Sequence, residues 1–185
     1  MTPREYQKAT SLTAIYPKDN DYDLIYLANG IMSEVGEIMG KNKKIIRDDN
    51  CQYSPEKIEA ISKEIGDVLW YMSEIASAFG IDFNFVAGNN FQQLETTKLT
   101  LQHTMISLGY NTGYLLRHMD DIITHGYVRT AYAEYIRNTL MNIYVDLMSL
   151  AINFDLFMVD IAEENVAKLQ DRKERDAIKG DGDER

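Results

Sequence analysis

Apolar residues recur along this chain at helical spacing. At 100° per residue, Leu27, Ile31 and Ile38 share one arc, and Ile61, Val68 and Ile75 share another. Strand-like alternation is not sustained anywhere, and the three prolines all lie at or before Pro55. The pattern predicts an all-α fold. A first short helix is expected at about 2–14, ahead of Tyr16-Pro17. A second should run from about 22 to 40 and continue through a lysine cluster to about Ile45. After a polar connection, Ser54-Pro55 reads as an N-cap with proline at the first helical position. The third helix should then reach Phe79, with Gly80 as its stop. Further helices are expected at about 83–98, 101–123, 129–154 and 156–173, and the tail at 176–185 should be loose unless a ligand orders it.

The apolar pattern repeats. Residues 61–98 align without gaps on residues 136–173, an offset of 75. Ile61 falls on Ile136, Ala76 on Ala151, Phe79 on Phe154, Asn90 on Asn165, Leu94 on Leu169 and Lys98 on Lys173. With a small shift, the helix holding Gly36 aligns on the one holding Gly113. Any two amphipathic helices look somewhat alike, but the shared polar Asn and the shared stop after Phe favour a true repeat. The expected architecture is therefore a single domain over 1–185. It has a four-helix-bundle core made of a tandem helical hairpin, with one copy at about 22–98 and a degenerate one at about 101–173.

Charge and cysteine content narrow the function. A net charge of -10 argues against coating nucleic acid or anionic membrane. Cys51 is the single cysteine, which excludes an intrachain disulfide and a multi-cysteine zinc site. The segment Met1-Thr2-Pro3-Arg4-Glu5 does not read as a secretion signal, and no apolar run approaches the ~18 residues of a membrane helix. A cytoplasmic location is the expectation.

Candidate chemistry lies in two acidic pairs, Glu34-Val35-Gly36-Glu37 and Glu64-Ile65-Gly66-Asp67. Residues three apart share one side of a helix, so each pair presents two carboxylates together. Glu34 and Glu64 both border their apolar arcs, with small Gly30 and Ala60 one turn earlier. A carboxylate at a core margin should be paired or bound to metal. In an antiparallel hairpin the two pairs lie at matched depth and face each other. Glu34, Glu37, Glu64 and Asp67 would then form an oxygen cage suited to Mg²⁺, with Mn²⁺ as a substitute. Taken singly, each pair reads better as solvated surface charge; the matched depth of two, both on the core margin, favours the cage. In the degenerate copy all four acids are replaced, by Asn111, Tyr114, Thr139 and Asn142, yet Lys168 and Arg172 stand where the first copy has Gln93 and Thr97. One copy could hold metal and the other phosphate, in a single composite site. Lys41, Lys43, Lys44 and Arg47 follow the first acidic pair, where cations also offset a helix dipole. His103, His118 and His125 lack a Glu three residues earlier, so the di-iron Glu-x-x-His pattern is absent.

Tyr6-Gln7, Thr13 to Tyr16-Pro17, Ser33-Glu34-Val35-Gly36-Glu37, Lys43-Lys44 and Lys63-Glu64-Ile65-Gly66-Asp67-Val68-Leu69-Trp70-Tyr71 together resemble MazG-type nucleoside triphosphate pyrophosphohydrolases. The run Asn165 to Arg172 and the closing Gly182-Asp183-Glu184-Arg185 resemble that family's C-terminal signature, and the tandem layout is similar to the related all-α dimeric dUTPases. The resemblance implies Mg²⁺-dependent cleavage between the α- and β-phosphates of a nucleoside triphosphate, giving monophosphate and pyrophosphate. It implies that Glu34, Glu37, Glu64 and Asp67 hold the metal. Lys168 and Arg172, with Lys44, would grip the outer phosphates, Asn165 the sugar or a phosphate, and Gln7 the base edge. It also implies a homo-oligomer, dimer or tetramer. The alternatives are a dUTP/dUDP hydrolase of the same superfamily and a non-catalytic helical protein that binds a nucleotide or a partner.

Overall fold

The computed structural model describes residues 1–89, 91 and 100–177. These form helices α1 (Pro3–Ser11), α2 (Tyr22–Asp48), α3 (Pro55–Ala78), α4 (Asn84–Ala87), α5 (Leu101–His125), α6 (Arg129–Asn153) and α7 (Met158–Glu174), with no strand among the described residues. The fold is all-α. Thr2 and Glu5 cap α1 reciprocally, each side chain bonding the other's backbone N–H. Ser54 stands at the N-cap of α3, but its side chain caps no backbone N–H there.

Four helices close into a ring: α2 packs on α3, α3 on α6, α6 on α5 and α5 on α2. Inside it lie Leu27, Ile31, Ile38, Ile61, Val68, Ile75, Leu115, Ile136, Leu147 and Leu150, all with essentially no exposed surface. Of the remaining helices, α7 crosses onto α3 and α4 onto α6, while α1 packs against α3, α7 and α4. This pairing is unchanged when residues 22–91 and 101–174 exchange roles, as a pseudo-twofold arrangement requires.

The two halves also end their central helices alike. Ile81 donates its N–H to the Ala76 carbonyl at 2.8 Å, and Leu156 donates to Ala151 at 2.9 Å. Gly80 and Asp155, again 75 apart, both take left-handed φ, +66° and +56°. Only glycine enters that region freely, so the second stop carries strain that the first does not.

The copies diverge afterwards. Of the helix expected at about 83–98, the described residues form one turn, α4, which stops at Ala87 where Gly88 adopts φ +72°. Phe91, itself at φ +48°, then packs edge-on against Tyr6 and Phe83. The expected partners Asn90, Gln93, Leu94, Thr97 and Lys98, and the tail from 178 onwards, lie outside the described residues. No described helix is long and apolar enough to cross a membrane.

Candidate functional site

The α2–α3 hairpin sets the level at which its acids meet. Gly30 on α2 accepts the ring of Tyr71 from α3; a Cβ at Gly30 would sit 2.0 Å from Tyr71 Cε1. One turn beyond Gly30, Glu34 reaches the same interface. Carboxylate oxygens of Glu34, Glu37 and Glu64 all lie within 4.8 Å of one another. Glu64 is buried, Glu34 half-buried and Glu37 exposed.

The cluster is electrostatically costly. Burial pushes Glu34 up to about 8, and the charges of Asp67, Glu64 and Glu37 push the same way. Burial also raises Glu64, against the opposing pull of Lys41. Lys41 Nζ lies 2.8 Å from Glu64 Oε1 and 3.8 Å from Glu37 Oε2. Burial raises the Tyr71 hydroxyl too, with Tyr26, Glu34 and Asp67 adding to the effect.

Asp67 meets a different set of partners. Lys168 Nζ contacts both of its carboxylate oxygens, at 2.6 and 2.7 Å. Asn165 Nδ2 donates to Asp67 Oδ1 at 2.8 Å, while Asn165 Oδ1 accepts from the Tyr6 hydroxyl at 2.9 Å. Asn165 approaches this closely because its neighbour on α3 is Gly66, where a Cβ would lie 3.1 Å from Asn165 Cβ. Tyr6 on α1, Asn165 on α7 and Asp67 on α3 thus form one hydrogen-bonded chain that runs from the core to half-buried Asp67.

Beside these groups lies a cleft of about 710 Å³, lined among others by Lys41, Lys63, Glu64, Asp67, Lys168 and Arg172. Arg172 is buried, so its charge is carried by the wall of the cleft rather than by solvent. Four expected residues therefore share this cleft: Glu64 and Asp67 from the first half, Lys168 and Arg172 from the second. Glu34 and Glu37 join through the acid cluster, and Asn165 joins through Asp67.

Gln7 and Lys44 lie elsewhere. Gln7 Nε2 donates to Ser77 Oγ at 3.0 Å and to the Ile81 carbonyl at 2.9 Å, and Gln7 Oε1 accepts from Phe83 N–H at 3.0 Å. Its amide is used up in tying α1 to the α3–α4 turn. Lys44 is exposed and outside the cleft lining; Lys41, one turn earlier, faces the acids instead. Lys41 carried a usable signal, four residues after Glu37 on one helix face. Tyr6 entered only as part of the family resemblance; its contact with Asn165 spans 159 residues and has no local signature.

Carboxylate oxygens are the ligands a hard divalent cation takes, and Glu34, Glu37 and Glu64 are the residues here that could hold one. Among known proteins, the Gene 37 protein of Mycobacterium phage L5 is 37% identical over 97 residues. The matched stretch is 50% of this chain and 85% of that protein. The chain belongs to the family of that phage protein. No family model matches the chain, and no solved structure matches it.

Proposed function

We propose that this chain is a Mg²⁺-dependent nucleoside triphosphate pyrophosphohydrolase, cutting between the α- and β-phosphates to release a nucleoside monophosphate and pyrophosphate. One observation carries the reading: Glu64 and Asp67 of α3 share a cleft with Lys168 and Arg172 of α7, from the opposite half of the chain, and the α2 acids Glu34 and Glu37 cluster on Glu64 beside it. A polyphosphate with a divalent cation needs both. Glu34, Glu37 and Glu64, joined by Asp67, would hold the metal. Bound there, the metal would offset phosphate charge and acidify an attacking water.

The chain's own groups divide the remaining work. Lys168 and Arg172 reach the outer phosphates, Arg172 through its planar fork and Lys168 as a mobile point charge. Asn165 keeps Asp67 turned towards the cleft, because its amide is itself oriented by Tyr6. The resemblance to MazG-type enzymes supports this division. Self-association belongs to the same reading, because Ile106, Tyr110, Tyr114, Tyr127 and Tyr135 are all exposed on α5, α6 and their connection.

The test is pyrophosphate release from a panel of ribo- and deoxyribonucleoside triphosphates with and without Mg²⁺. Metal-dependent release is the expected result. Turnover confined to dUTP and dUDP would move the protein to the dUTPase branch. Nucleotide binding without turnover would make it a binding protein.

A further inference from the structure

The fourth acid of the cage is held apart from the other three. Glu34, Glu37 and Glu64 form a compact cluster, whereas both oxygens of Asp67 face Lys168 Nζ. Asp67 is nevertheless close enough for its charge to act on Glu34 and Glu64. A divalent cation and the Lys168 ammonium would compete for the same lone pairs. Asn165 leaves this competition open, since it holds Asp67 Oδ1 by an amide N–H and contributes no charge.

Lys168 is suited to exchange. Its ammonium is compact and sits on a flexible stem, and its side chain is 26% exposed at the edge of the cleft. Arg172 lies one turn further along α7 and lines the same cleft. An anion drawn there by Arg172 offers Lys168 a second partner within reach of its stem.

We propose that Lys168 is an exchanging counter-ion, holding Asp67 when the cleft carries no ligand and passing to a bound polyphosphate when a divalent cation takes Asp67. Cation and anion binding are then positively coupled, and the coupling is reciprocal. In the free protein the charge of Asp67 is offset by the lysine that later grips phosphate. This rests on the metal-site reading above and adds to it a specific role for the Lys168–Asp67 contact.

The experiment measures Mn²⁺ binding directly, by calorimetry or by the loss of the free-ion EPR signal, without reference to turnover. Lys168→Met keeps the aliphatic stem and removes the competing charge. It should bind Mn²⁺ about tenfold more tightly than the unmodified chain. Adding Asp67→Asn to Lys168→Met should abolish that gain. Inorganic phosphate, which chelates Mn²⁺ only weakly, should tighten Mn²⁺ binding in the unmodified chain and have no such effect in Lys168→Met. Thermal melts establish that each variant is folded. Unchanged or weaker Mn²⁺ binding by folded Lys168→Met overturns the exchange and leaves the metal site standing, as does a phosphate effect that survives the substitution. Absence of Mn²⁺ binding in both the unmodified chain and Lys168→Met overturns the metal-site reading, and the exchange with it.

Discussion

Glu37 and Glu34 show how two acids of one motif acquire different tasks. Glu37 is exposed, with Lys41 beside it, so its charge costs the fold little. Glu37→Gln should leave stability level or slightly raised, yet a neutral amide oxygen is a weaker ligand for a hard cation. Pyrophosphate release should fall at least ~100-fold, or about 2.7 kcal/mol of transition-state stabilisation. Asn142→Ala, at the exposed position 75 residues after Asp67, should stay within a few-fold of the unmodified rate. Glu34 has the opposite character. Its ordinary value of 4.5 is raised to about 8, so the folded protein binds this proton more tightly than the unfolded chain does. Its contribution to stability is therefore full below about 4.5 and is lost as pH rises through about 8. Glu64, raised in the same direction, adds to that slope. The melting temperature of metal-free protein should fall from pH 5 to pH 8, and Glu34→Gln should flatten the fall. A divalent cation must displace the same proton. Mn²⁺ binding at pH 7 should thus release about one proton, read by calorimetry in two buffers of different ionisation enthalpy, and release little in Glu34→Gln.

Helix α2 carries two glycines whose substitution should have opposite effects. Gly36 is exposed and has nothing within 4 Å of a Cβ placed on it. Gly36→Ala should stabilise the protein by about 1 kcal/mol, the usual gain of alanine over glycine inside a helix. Gly30 is the socket for Tyr71, and a Cβ there would meet three ring atoms at 2.0, 2.2 and 2.7 Å. An aromatic ring wedged between helices cannot yield that far, so Gly30→Ala should cost about 1–3 kcal/mol despite the same gain in helix propensity. Urea denaturation of the two variants would settle the ordering. Equal effects would mean that the Gly30–Tyr71 contact does not set how α2 lies on α3. The same contact fixes the level at which Glu34 meets Glu64, so Gly30→Ala should also weaken Mn²⁺ binding while Gly36→Ala leaves it unchanged.

At the scale of the molecule, the crossing of α7 onto α3 is what makes one site from two degenerate halves. Neither half alone brings Glu64 and Asp67 together with Lys168 and Arg172 in one cleft. The face opposite that chemistry is aromatic. Tyr110 stacks on Tyr114, and Tyr127 on Tyr132, while Tyr110 and Tyr135 remain largely exposed. Exposed tyrosines and isoleucine clustered in this way are the composition of an association surface. Light scattering at micromolar concentration should therefore report a dimer or larger, and Tyr110→Glu with Tyr135→Glu should shift it towards monomer. A monomeric mass for the unmodified chain would contradict self-association and leave the cleft chemistry untouched.

Helix positions, the shared stops after Phe79 and Phe154, and the grouping of Glu34, Glu37 and Glu64 were all legible in the residues. Each depends on local periodicity or on contacts within one hairpin, which spacing encodes directly. The end of α4 was missed, because whether Gly88 takes a left-handed φ and stops the helix is decided by the backbone path and not by residue type alone. Gln7 looked free to meet a ligand until tertiary packing spent its amide on the α3–α4 turn. Lys41 and Lys44 are interchangeable as letters in a basic run; the rotation of α2 against α3 decides which one faces Glu64. The pairing of Lys168 with Asp67, across 101 residues, likewise exists only once α7 has crossed onto α3. The sequence by itself determined which side chains share one face of a helix, because side-chain type and helical phase are local. Only the tertiary structure decided which of them meet, because distance between helices is a property of the packed whole.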